Sequence, residues 1–144
     1  MISLKTCIER GFIKETAPSI VEANAQMEKA KVMIEEAKKA VENQSPNSAV
    51  LCGYAACFDG ARALLFKDGY RERSHACVAR YLEANYLDEL RSSSVHLLDG
   101  YREQRHKVSY SSEYYPTMDE AGKLVEFAGE FLEKIEKILG EHNV

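Results

Sequence analysis

The chain has 144 residues, 45% of them apolar and 29% charged, with a formal net charge of −4. That length suits one domain, residues 1–144, which can bury roughly 68–70% of its unfolded surface without a disulfide or metal staple. The acidic balance excludes a protein coated in basic residues for duplex binding, since phosphate neutralisation needs clustered Lys and Arg.

The opening residues, Leu4 to Phe12, read as a short packing helix. They carry Lys5, Glu9 and Arg10 and lack the apolar run of a signal peptide. From Ser19 to Glu42 the apolar positions are Ile20, Ala23, Met27, Ala30, Ile34, Ala37 and Val41. Steps of three and four put that stripe on one face of a long helix, with Glu22, Glu28, Lys31, Glu35 and Lys38 on solvated faces.

Ser45 and Pro46 mark a break, and a second helix is expected from about Ser48 to Lys67. It is rich in small residues (Gly53, Ala55, Ala56, Gly60, Ala61 and Ala63), which let neighbouring helices approach closely and place it at the centre of the bundle. Gly69 suits the left-handed turn that ends it.

Ser74 is placed to cap a third helix through Tyr86, burying Cys77, Val78, Tyr81 and Leu82. A fourth is expected from about Asp88 to Val108, followed by a loop from Tyr110 to Pro116. Thr117 with Glu120 forms a capping-box pattern. It opens a last amphipathic helix through Leu139, with Gly140 at its end. No strand pattern stands out, so the expected fold is all-α: an antiparallel four- to five-helix bundle.

The four cysteines, Cys7, Cys52, Cys57 and Cys77, form no paired Cys-x-x-Cys motif. No metal or cofactor is expected, and the cysteines read as small buried hydrophobes. No stretch approaches a membrane span in length, so no membrane partner is expected, and a reducing cytoplasm is the expected location.

Two segments carry a resemblance. The run Tyr54-Ala55-Ala56-Cys57-Phe58-Asp59-Gly60-Ala61-Arg62-Ala63-Leu64-Leu65, with Gly69 and then His75 after it, is similar to the HEPN superfamily pattern of an aromatic, small residues and Ala-Leu-Leu. Further on, Tyr101-Arg102-Glu103-Gln104-Arg105-His106-Lys107-Val108-Ser109-Tyr110 resembles that family's arginine-centred segment, and Asp119-Glu120-Ala121 its last helix start. The likeness spans roughly residues 20 to 139.

The resemblance implies a helical bundle, frequently a homodimer. Nuclease members bring an Arg, a polar residue and a more distant His together across the dimer interface. Many are toxins of toxin–antitoxin pairs beside a small nucleotidyltransferase, and members without the His are binding or partner modules. Arg105 matches the motif arginine and His106 the polar position. The catalytic His position falls at Tyr110, Ser111 or Ser112, none of them histidine. Arg102 does not repair the motif, because only three residues separate it from His106. Arg91 and His96 match the spacing formally, well before the expected place.

The residues themselves suggest their own chemistry. Arg102 and His106 lie one turn apart, beside Arg105. Arginine holds a phosphate with its planar fork, and histidine exchanges a proton near neutral pH. Arg102, Arg105 and His106 are therefore the catalytic candidates. The binding candidates are the same three with Lys107 and Tyr110, and the alternative is a solvated face on which they pair with Asp99 and Glu103. Tyr101, Tyr110, Tyr114 and Tyr115 surround the segment, as stacking surfaces or as packed rings with wet hydroxyls. His75 reads as a structural hydrogen-bonding residue, His142 as part of a fraying terminus, and Arg62 as the partner of an acid across the bundle, the alternative being that it points into the same cleft as Arg102.

The expected function is a nucleotide- or RNA-binding module without ordinary nuclease activity, homodimeric, with a nucleotidyltransferase-type protein as a further partner. The alternatives are a metal-independent RNase using Arg102, Arg105 and His106 in an altered spacing, and a structural partner subunit without ligand.

Overall fold

A computed structural model describes residues 2–142, with only the backbone of His142, which is the last helical residue of the chain as described. In chain order the elements are α1 (Leu4–Glu9), β1 (Ile13–Glu15), α2 (Ile20–Glu42), α3 (Pro46–Asp68), β2 (Tyr70–Glu72), α4 (His75–Asn85), α5 (Leu87–Leu90), α6 (Ser92–Tyr110) and α7 (Met118–His142). The fold is all-α in character, as expected, with five helices of eleven residues or more and two short ones.

α2 buries Ala23, Met27, Ala30, Ile34 and Ala37, as its spacing predicts, and finishes its stripe with Ala40, leaving Val41 only partly covered. The Ser19 Oγ accepts from the Glu22 N–H at 3.1 Å and so satisfies one orphan donor of the first turn. A short connection turns the chain back, and α3 packs along α2 with α7 on another side.

Small residues make the close approach of α3 and α7 possible. A Cβ on Gly60 would stand 2.6 Å from Leu132 Cδ2 and 3.1 Å from Ile135 Cδ1. By length and composition α3 would suffice to cross a membrane, contrary to the sequence expectation, but most of its apolar window is buried inside the bundle.

α3 ends at Gly69, whose φ of 90° is left-handed backbone. Its N–H donates to the Leu65 and Phe66 carbonyls. The Thr16 carbonyl and Pro18 crowd the Cα so closely that a Cβ would meet each at 2.8 Å. The capping box at α7 forms reciprocally: the Glu120 N–H donates to Thr117 Oγ1 at 3.1 Å and the Thr117 N–H to Glu120 Oε1 at 3.0 Å.

Several expectations need correction. The opening helix stops at Glu9, and Phe12 lies beyond it. β1 and β2 pair antiparallel with Ile13 opposite Glu72 and Glu15 opposite Tyr70, a ladder too short to show as alternation in the sequence. Ser74 occupies the N-cap of α4 without a side-chain cap bond. The expected fourth helix is broken at Arg91, whose φ of 69° separates α5 from α6. α6 then stays helical through Tyr110, so the following loop begins at Ser111. Gly140 lies inside α7.

Cys7 and Cys77 are joined in a disulfide between α1 and α4, so these two are not free apolar side chains. Such bonds persist in oxidising surroundings and are rare in reducing ones. Cys57 does read as expected, a free, fully buried thiol, while Cys52 is only partly covered.

Candidate functional site

One continuous helix carries the whole basic segment, and its 100° step per residue splits that segment among different surroundings. Lys107 is exposed, with its ammonium 5.9 Å from the Tyr114 ring centre. His106 is exposed, its ring 4.7 Å from that of Tyr110, which is 71% exposed. Arg102 is half-buried and its Nε stands 3.7 Å from Asp99 Oδ1. The other oxygen of Asp99 accepts from the buried Arg80 at 2.5 Å. The solvated-pair reading of Arg102 is thus realised in part, with Asp99 as the acid.

Arg105 differs from the others. It is half-buried, and among the described residues it forms no ion pair. Its guanidinium lies 6.0 Å above the Tyr54 ring, at the mouth of a recess of about 210 Å³ that also takes in Leu51, Phe58, Asp59 and His75.

Three elements build this recess. Tyr54 and Phe58 stand one turn apart on α3, their rings near-parallel at 6.3 Å. His75, the first residue of α4, lies flat on Phe58, with ring centres 3.8 Å apart and planes 2° from parallel. The Tyr54 hydroxyl and His75 Nδ1 are 3.2 Å apart. Arg105 comes from α6. The turn at Gly69 and the β1–β2 ladder fix where α4 begins, and therefore where His75 stands.

The electrostatics are one-sided. Burial lowers the His75 pKa below its ordinary value, and the nearby charges of Arg105, Arg102 and Arg62 lower it further. Burial pushes the Tyr54 phenol well above its usual range, against the pull of Arg102 and Arg105. His75 is therefore a neutral imidazole at pH 7, and Tyr54 keeps its proton.

Asp59 is buried, accepts from Gln26 Nε2 at 2.8 Å, and has its carboxyl pKa raised by burial, with Lys29, Arg62 and Gln26 opposing that. Arg62 pairs with Glu72 of β2, as expected of it, and its guanidinium also sits 5.7 Å from the Phe58 ring centre.

The sign of the His75 shift gives a stability prediction. Below the ordinary value of 6.5 the unfolded chain binds a proton that folded His75 refuses. Stability should therefore fall as pH drops below that value, until the folded pKa is reached. Urea midpoints between pH 7.5 and pH 5.5 should fall less for His75→Gln than for the wild type. Equal slopes would show that His75 carries no such shift.

Of the residues singled out in the sequence, Arg105 lies in the recess and Arg102 lies close enough for its charge to act there. His106, Lys107 and Tyr110 do not line it, and neither does the formal pair of Arg91 and His96, of which His96 lines a separate cavity with Arg80, Asp99 and Arg102. Tyr101 packs 5.1 Å from Phe127, and Tyr114 donates to Glu120 and accepts from Gln104. Tyr115 is exposed.

His75 makes the hydrogen bond expected of it, but sequence reasoning missed its place beside Arg105, along with the roles of Tyr54 and Phe58. Their spacing of four on an apolar helix was the available signal. Among the described residues no cluster of metal-ligating side chains occurs.

A family model described as the HEPN domain matches residues 23–138, a span that includes every residue of this recess. No curated protein matches the sequence.

Proposed function

The chain belongs to the HEPN domain family, whose members are generally nucleotide- or RNA-related and often RNases, and on that footing we propose that it is a nucleotide- or RNA-binding module centred on Arg105. The observation that carries this reading is Arg105 itself. It is half-buried, forms no ion pair among the described residues, and shares its recess with a neutral histidine and with Asp59, whose carboxyl group is held by Gln26 instead. A guanidinium in that setting is matched by an anion from outside, and its planar fork suits a phosphate.

The same geometry favours binding over ordinary cleavage. His106, the histidine nearest Arg105 in sequence, is exposed against Tyr110 and lies off the recess. His75 lies in it, but its Nδ1 is engaged with the Tyr54 hydroxyl at 3.2 Å, which leaves a single ring nitrogen where an acid–base cycle needs a free donor and a free acceptor. In this reading the protein works as a homodimer, with the exposed Leu97 and Tyr110 of α6 available for contacts. A nucleotidyltransferase-type partner, as in a toxin–antitoxin pair, is part of the same proposal.

Incubating the protein with a mixed labelled RNA pool tests it, beside Arg105→Ala and His106→Ala variants whose folding has been checked. The expected result is retention without cleavage, weakened at least tenfold by Arg105→Ala and little changed by His106→Ala, as measured by filter binding. Cleavage that either substitution abolishes would favour an RNase. Absence of both retention and cleavage would favour a structural partner subunit.

A further inference from the structure

The shape of the recess says which part of a nucleic acid it would hold. Its volume of about 210 Å³ is below the roughly 300–1,000 Å³ of sites that enclose a whole small ligand. It has room for one group.

The aromatic faces beside it are already occupied. Phe58 carries His75 on its ring at 3.8 Å and the Arg62 guanidinium at 5.7 Å, while Tyr54 has Arg105 over its ring. A base would have to displace one of these to stack. An anionic oxygen displaces nothing and meets Arg105 directly.

Resting on the reading above, we infer that the recess takes a backbone phosphate and not a base, and that filling it places a proton on His75. In the empty site the Tyr54 hydroxyl donating to Nδ1 would leave Nε2 with the imidazole's proton. The charges that act on the ring are those of three arginines, and the three carboxylates nearby are each engaged by another group. α3 contributes Tyr54, Arg62 and Asp59, the last held by Gln26. From β2 comes Glu72, which is engaged by Arg62. α6 contributes Arg105 and Arg102, the latter shared with Asp99. α1 meets α4 at the Cys7–Cys77 bridge, which does not titrate.

A phosphate entering this setting reverses the local field, which favours the charged form of a neighbouring histidine. The proton comes from solvent and adds at Nδ1. The Tyr54 hydroxyl then turns from donor to acceptor, and His75 becomes a cation facing the anion it helps to hold. Recognition of this kind is independent of sequence and tighter at lower pH.

Calorimetric titration at pH 7.5, in buffers of different ionisation enthalpy, tests the inference. The probes are uridine tetranucleotides with either hydroxyl ends or a 5′-phosphate. The phosphodiesters of the first do not titrate near this pH, so any proton taken up belongs to the protein.

The expected result is a net uptake of protons on binding the hydroxyl-ended probe, never more than one per probe. His75→Gln should still bind, several-fold more weakly, with no uptake. Replacing uridine by adenosine should change affinity less than twofold. Binding without proton uptake, or uptake that survives His75→Gln, would overturn the inference while leaving an RNA-binding module in place. Binding of the 5′-phosphorylated probe alone would overturn the backbone assignment in favour of a terminal phosphate. No binding of either probe, by a protein whose fold is intact, would remove the reading on which the inference rests.

Discussion

Opening the Cys7–Cys77 bond should lower the unfolding free energy by about 4 kcal/mol. The bond joins positions 70 apart in sequence, and in the chain-entropy account a cross-link of that span restricts the unfolded chain by about this amount. The native side points the same way. α1 has six residues and its only buried one is Cys7, so it has almost no packing of its own, and an isolated helix so short is unstable.

With the bond open, the opening segment is held mainly by the three-residue β1–β2 ladder and by contacts of Ile2, Leu4 and Phe12 at the edge of the core. Urea unfolding with and without a reductant measures the difference. Cys7→Ala combined with Cys77→Ala gives the same comparison without redox chemistry and leaves Cys52 and Cys57 in place. A loss smaller than about 1 kcal/mol would mean that packing, and not chain restriction, holds α1.

Phe131→Ala should cost a further large amount, about 3–5 kcal/mol, the range for emptying a buried phenylalanine site. Phe131 is 1% exposed and lies 5.5 Å from the Phe127 ring, which in turn meets Tyr101 of α6 at 5.1 Å. Removing it leaves a cavity in the row of rings that joins α7 to the helix carrying Arg105. Phe131→Leu keeps most of the volume and should cost less than half as much. His106→Ala, on the exposed side of α6, should stay within about 0.5 kcal/mol of the wild type. Denaturation midpoints of the three variants check the ranking, and equal losses for Phe131→Ala and Phe131→Leu would contradict it.

The long helices were legible because burying one stripe of a helix leaves a period of three and four in the sequence, as at Ala23, Met27, Ala30 and Ile34. The Thr117–Glu120 box and Gly69 were legible because their chemistry is local. The ladder between residues 13–15 and 70–72 was not, since three residues are too few to show alternation and their partners are distant.

Nor was the break at Arg91 legible, where an arginine holds a positive φ that composition does not announce. The Cys7–Cys77 pairing depends on where α1 settles against α4, which no spacing rule encodes. The site divides along the same line. Arg105 stood out within one helix, but its companions Tyr54, Phe58 and His75 come from two other elements, and only the folded chain brings them beside it.

The most direct test of the Arg105 recess is to follow the ring signals of His75, His96 and His106 by NMR during titration with a single-stranded RNA, each assigned through its His→Gln variant. The account predicts that the His75 signals shift on binding, in the direction of protonation, while those of His96 and His106 move little, and that Arg105→Ala abolishes the His75 shift. Saturable RNA binding that moves the His106 signals and leaves His75 still would contradict it, placing the ligand on the exposed face of α6.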